Sequence, residues 1–221
     1  MRIELKNVTL QYDEKTPTFQ GINLNVETGD FILIQGASGI GKSSLLRLLN
    51  RLQEPTAGEI RIDGKPIAEF DVTTLRRKIG YVQQLPVIID GSVEDNFNLS
   101  FRFRSARSQT KPRAETMRQF MDDFLLQEVR LADDAQKLSV GQKQRISLIR
   151  MLLLQPEVLL CDEPTSALDA ESKEIVESWI ERINIEKGIG VILVTHLDFV
   201  PKRVKAKKFL LQENGLKKID D

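Results

Sequence analysis

The 221-residue sequence predicts an α/β fold: a mainly parallel sheet covered by helices on both faces, with an antiparallel β part near the N-terminus and a helical insertion. Three observations predict it. Continuous apolar runs at Phe31–Ile34, Val158–Cys161 and Val191–Val194 are short enough to be strands buried on both faces. Helical spacing alternates with them, over Ser44–Leu52, Gln142–Leu154 and Ser172–Asn184. Between residues 85 and 137 the alternation stops, and Phe97, Phe101, Phe103, Phe120 and Phe124 are interspersed with basic and acidic residues.

From the N-terminus, residues 2–26 place apolar side chains at Ile3 and Leu5, then at Val8 and Leu10. Turn signals stand at Asp13-Glu14-Lys15 and Glu27-Thr28-Gly29-Asp30, and short antiparallel strands fit this pattern. The run Phe31–Ile34 feeds directly into a glycine-rich loop, and the helix after it ends before Pro55. Gly58–Gly64 reads as a short strand closing in a turn, and Ile79–Val82 as a strand leading to Gln83-Gln84. Within the insertion, helical periodicity is clearest at Met117–Leu126. Arg102–Arg113, rich in Arg, Ser and Lys with Pro112, reads as a loop whose cationic run is a solvated surface. Near the C-terminus, Lys208–Leu211 and Leu216–Ile219 flank Asn214-Gly215, a hairpin signal of type I′ turns. No internal repeat is evident.

Composition narrows the class. With 41% hydrophobic and 29% charged residues the chain can bury roughly 70–75% of the surface its unfolded form exposes, as one unit with a modest insertion. Lysine and arginine number 32, as do aspartate and glutamate, so no global field favours nucleic acid or an anionic membrane surface. Anion specificity must be local. The single cysteine, Cys161, lies inside an apolar run and reads as a small core residue in a reducing compartment. The N-terminus lacks the apolar stretch of a signal peptide, and no window approaches the roughly 18 uninterrupted apolar residues of a spanning helix. The longest candidate, Ile146–Leu154, is broken by Ser147 and Arg150, so work at a membrane would require another chain to cross it.

Chemistry begins at Gly36-Ala37-Ser38-Gly39-Ile40-Gly41-Lys42-Ser43, which fits G-x-x-x-x-G-K-[ST] without a mismatch and follows a strand. These residues, with Ser44 after them, are the candidate phosphate binders. Backbone N–H groups at the start of the following helix point toward a bound polyphosphate, and the helix dipole adds about half a positive charge there. Lys42 should bridge β and γ phosphates, and the Ser43 hydroxyl should ligate Mg²⁺. Asp162-Glu163 emerges at the C-terminal end of a buried strand, where parallel sheets of this kind place ligands. Asp162 should hold Mg²⁺, directly or through water. Glu163 is positioned to orient or deprotonate an attacking water, a contribution of about 10²–10⁴ in rate.

Together with that loop and that acidic strand end, the pentapeptide Leu138-Ser139-Val140-Gly141-Gln142 is similar to the signature of the ATP-binding-cassette (ABC) ATPases. The resemblance spans nearly the whole chain. It implies a P-loop NTPase (RecA-like) core with an N-terminal antiparallel β subdomain. The expected organisation is a single domain over residues 1–221, with the core at 1–84 and 139–221 and a helical subdomain at 85–138. In this family the serine and glycine of the pentapeptide contact the γ-phosphate held by a second subunit, and Ser139 and Gly141 match them; Ser139 is also a plausible helix N-cap. Gln142 belongs to the same candidate nucleotide set. Val140 stands where glycine is commoner, and its branched side chain limits how closely that backbone approaches phosphate.

The same resemblance implies roles for further residues. Tyr12 matches the aromatic residue that stacks on adenine. Gln84 matches the glutamine that touches Mg²⁺, with Gln83 as the other possibility. Asp169, in Ser166-Ala167-Leu168-Asp169, matches the aspartate that faces the partner site. His196, the only histidine, matches the γ-phosphate sensor after the strand Val191–Thr195 and would donate a hydrogen bond rather than act as the principal base. The implied catalytic residues are therefore Glu163, His196, Lys42 and Gln84, the cofactors ATP and Mg²⁺, and the metal contacts Ser43, Gln84 and Asp162.

Binding of ATP is expected to join two chains head to tail, and hydrolysis to reopen the pair. Partners would be a second copy and integral membrane permease subunits, not nucleic acid. The location would be cytoplasmic, peripheral on the inner face of the cell membrane. Leu85, Val87, Ile88 and Ile89 could line the groove that receives a membrane subunit, or be plain core packing. Two other functions compete: a soluble or mechanotransmitting ABC ATPase not coupled to solute transport, and an assembly switch that scarcely hydrolyses, against which Glu163 and His196 argue. Within transporters, Lys143–Arg150 and the compact form look most like small bacterial cassettes, including those assigned to iron or metal-ion export.

Overall fold

The structure, a computed structural model, describes residues 1–12, 18–102, 111–195 and 199–219. The turn signal at Asp13-Glu14-Lys15, Phe103, most of the Arg102–Arg113 segment and His196 lie outside the described residues. In chain order the strands are β1 (Arg2–Leu10), β2 (Phe19–Glu27), β3 (Phe31–Gln35), β4 (Ala57–Ile62), β5 (Lys65–Pro66), β6 (Ile79–Val82), β7 (Val158–Asp162), β8 (Gly190–Thr195), β9 (Lys207–Gln212) and β10 (Gly215–Ile219). The helices are α1 (Lys42–Leu49), α2 (Val72–Lys78), α3 (Val93–Asn98), α4 (Ala114–Asp123), α5 (Val140–Leu152) and α6 (Ala170–Lys187).

Two sheets form. The larger runs β10-β9-β3-β8-β7-β6, parallel from β9 to β6 with β10 antiparallel at its edge; the smaller, β2-β1-β4-β5, is antiparallel. Because side chains alternate along a strand, the buried runs divide between two cores. Leu33, Leu159, Cys161, Val191 and Leu193 face one, with the insertion, α5 and α6. Ile32, Ile34, Val158, Leu160, Ile192 and Val194 face the other, with α1 and the antiparallel sheet. Cys161 is thus a fully buried core residue. In β1 the apolar spacing widens from two to three between Leu5 and Val8 because the register shifts there, at Asn7 with φ 48°, the signature of a bulge.

Several elements differ from the sequence expectation. α1 stops at Leu49 rather than Leu52, since Arg51 takes a left-handed φ of 55° and turns the chain. α2 was not anticipated: only Leu75 of its seven residues is buried, which leaves no apolar stripe to read, although Asp71 caps it by accepting from the Thr74 N–H at 2.8 Å. α4 begins and ends three residues before the periodic stretch, with Leu125 at φ 51° closing it. The C-terminal hairpin is present, but Gln212 pairs with Gly215, so its loop is Glu213-Asn214, one residue earlier than the Asn-Gly signal, and only Gly215 carries a positive φ.

Among the described residues, 85–138 contain helices and turns with no strand beyond one isolated bridge, Ser92 to Asp134. That bridge clasps the two ends of the insertion, with the Ala135 N–H donating to the Gly91 carbonyl at 3.0 Å. Phe124 fixes the insertion to α6 by stacking on Trp179 at a centroid distance of 4.4 Å. No helix among the described residues is long and apolar enough to cross a membrane. Since Phe124 is fully buried, Phe124→Ala should lower stability by about 3–5 kcal/mol in denaturant titration. A loss below about 1 kcal/mol would contradict this packing.

Candidate nucleotide site

The strand order brings the C-terminal ends of β3, β8 and β7 side by side, with Gln35 opposite Thr195 and Asp162 opposite Val194. The loop after β3 therefore opens beside the carboxylates after β7. Gly41 caps α1 at φ 99°, and a Cβ there would lie 2.7 Å from Thr18 Cγ2, so both conformation and space require glycine. No side chain caps this helix end, which leaves its first-turn N–H groups for a ligand. Lys42 is buried and its Nζ donates to the Gly36 and Ala37 carbonyls at 2.8 and 3.0 Å, with Glu163 Oε1 3.7 Å away. The ammonium is thereby held inside the curl of the loop.

Asp162, 4% exposed, accepts two hydroxyl hydrogen bonds: from Ser43 Oγ to Oδ1 at 2.8 Å and from the Tyr81 phenol to Oδ2 at 2.6 Å. Burial first, then the neighbouring Asp162 carboxylate, push the Tyr81 phenol well above its ordinary value, so it serves as a donor. Glu163 adopts φ 44°, unusual for a residue with a Cβ, and its N–H donates to the Val194 carbonyl at 3.0 Å. Gln84 Nε2 reaches Glu163 Oε2 at 3.4 Å and Ser166 Oγ at 3.1 Å. A cleft of about 400 Å³ is lined by Ser38, Gly39, Gly41, Lys42, Ser43, Ser44, Gln84 and Glu163. Gln84 lines it and Gln83 does not; the Gln83 carbonyl instead accepts from Gln144 Nε2 at 3.2 Å. Tyr12, 63% exposed, sits beside α1 with its hydroxyl 2.8 Å from Ser44 Oγ.

Ser139, Gly141, Gln142 and Asp169 do not line this cleft. They form a second cluster, at the N-termini of α5 and α6. Ser139 and Gln142 make a reciprocal capping box, and Gln142 Nε2 also donates to Glu128 at 2.9 Å. Both ends of the Gln142 amide are thus engaged within the chain. Asp169 caps α6 by accepting from the Ser172 N–H at 2.9 Å, a bond that holds its carboxyl below the usual range. A Cβ on Gly141 would lie 2.4 Å from Ser172 Oγ, so this glycine lets the two helix ends meet. Val140 is half exposed beside them.

A family model described as ABC transporter matches residues 19–166, more than half of the chain. The chain belongs to this family. It is an ABC ATPase cassette. Protein STAR1 of Oryza sativa subsp. japonica is 41% identical over 177 residues, which are 80% of this chain and 50% of that protein, so the cassette spans about half of this relative's length. Among solved structures, a dimeric ATP-binding cassette in a post-hydrolysis state bound to ADP and Pi superposes with a TM-score of 0.81 at 29% identity, covering 99% of each chain. CbiO1 from Clostridium perfringens, part of the ABC transporter complex CbiONQ, gives a TM-score of 0.81 at 27% identity, covering 97% of the cassette and 86% of that chain.

The cassette's residues fit Mg-ATP. Ser43 Oγ and Asp162 Oδ1 are hard oxygen donors 2.8 Å apart, the kind of donor that suits Mg²⁺. Tyr81 and Ser166 were not singled out from the sequence as site residues: a tyrosine in an apolar strand reads as packing, and only the fold aims its hydroxyl at Asp162. Lys42→Ala should weaken Mg-ATP binding at least tenfold by calorimetry, and near-normal affinity would contradict the phosphate-loop assignment.

Proposed function

We propose that this cassette is the ATP-hydrolysing subunit of a membrane transporter, acting as a pair of copies that closes over two nucleotides and moves separate membrane-spanning subunits. One observation carries the reading: the cleft lined by Lys42, Ser43, Gln84 and Glu163 includes none of Ser139, Gly141 and Asp169, which cluster at the N-termini of α5 and α6 on the same chain. A second copy, turned head to tail, would bring its own Ser139, Gly141 and Asp169 to the cleft. The dimeric likeness and the transporter complex to which CbiO1 belongs support this.

The residues divide the work. Lys42 and the α1 N-terminus bind the phosphates, and Tyr12 offers an exposed ring to adenine. Ser43 and Asp162 would hold Mg²⁺, which when bound neutralises charge on the β and γ oxygens. Glu163, tied to Gln84, orients the attacking water or takes its proton. His196 follows β8 and would donate to the γ-phosphate. The Ser139 hydroxyl and the α5 N-terminus of the partner copy close the opposite side and exclude water. Leu52, Leu85 and Val87, exposed by 45%, 66% and 52%, offer apolar surface to a membrane subunit, whereas Ile88 packs on the core. The cassette would then sit at the cytoplasmic face of the membrane.

Glu163→Gln should retain ATP binding, lower turnover by at least a hundredfold and accumulate an ATP-bound dimer in sedimentation. Unchanged hydrolysis would remove Glu163 from this role.

A further inference from the structure

We infer that Tyr81 is a positioning residue for the metal-binding carboxylate, fixing Asp162 from the side opposite Ser43 and joining it to the surface groove beside α2. The inference rests on the reading that Asp162 and Ser43 hold Mg²⁺. Asp162 ends β7 with its carboxylate gripped at both oxygens, and the two donors come from different elements: Ser43 from the first turn of α1, Tyr81 from the edge strand β6. β6 lies next to β7 in register, with Tyr81 opposite Leu160, so the tyrosine reaches diagonally along the sheet to the residue two further on.

A carboxylate free to rotate spends part of its time pointing away from the ion. Two hydroxyl donors leave it one orientation, with Oδ1 beside Ser43, where both oxygens can meet the same metal. The tyrosine ring also lines a pocket of about 370 Å³ with Leu52, Thr73, Arg76, Met151 and Leu154. One side chain thus spans from that surface pocket to the carboxylate.

Tyr81→Phe removes only the hydroxyl. The Mg²⁺ concentration that half-saturates binding of a fluorescent ATP analogue should rise about tenfold, while analogue affinity in EDTA stays unchanged. Asp162→Asn is measured beside it. If Asp162→Asn alters the Mg²⁺ dependence and Tyr81→Phe does not, the positioning role falls and the metal assignment stands. If Asp162→Asn leaves the Mg²⁺ dependence as in the wild type, the metal assignment falls and the inference with it.

Discussion

Burial of β3, β8 and β7 on both faces is the constraint from which the rest follows. Each strand sends alternate side chains into two separate cores, so a slip of one residue would exchange the cores and is strongly disfavoured. Register is therefore fixed, and with it the height at which each strand ends. The phosphate loop leaves β3 at Gln35, and Asp162 closes β7 level with Val194 of the strand between them. Ser43 can then reach Asp162 across the width of β8 with a bond of 2.8 Å. The chemistry is placed by apolar packing several residues away from it.

A second connection runs through α5. Its N-terminal turn carries Ser139 and Gly141, while two of its buried side chains hold the segment after β6: Gln144 donates to the Gln83 carbonyl and Arg150 to that of Val87, at 3.2 and 2.8 Å. Gln84 lies between these anchor points and reaches Glu163. The helix end that would face a partner copy is in this way fastened to the loop that touches the acid of its own cleft. Arg150 is 7% exposed, and burial lowers its pKa, so a strongly desolvated cation is kept at this junction by main-chain bonding.

Much of this was legible in the sequence, for identifiable reasons. The doubly buried strands, the phosphate loop and Asp162-Glu163 announce themselves because their patterns are local: continuous apolar runs, fixed glycine spacing, acids at a strand end. The strands that alternate were legible through Ile3, Leu5, Val8 and Leu10, while the bulge at Asn7 that makes the step between Leu5 and Val8 emerged only in the structure. What escaped depends on contacts between distant segments. α2 has a single buried side chain and so no periodicity. Tyr81 is separated from Asp162 by 81 residues, and no spacing rule connects them. Gln142 shows another case: the sequence reading set it among the nucleotide residues, although S-x-x-Q from Ser139 is also the pattern of a capping box, and the structure places the amide there and on Glu128.

The claim at the centre is that each nucleotide pocket is completed by a second copy. Mixing two variants tests it most directly, one carrying Lys42→Ala and the other Ser139→Ala. Each alone spoils both pockets of its own pair, but a mixed pair assembles one pocket from the intact loop of one copy and the intact signature of the other. The account predicts ATP hydrolysis in the mixture and almost none in either variant alone. A mixture as inactive as its components, with mixed pairs demonstrably formed, would contradict it, as would full activity of the Ser139→Ala variant by itself.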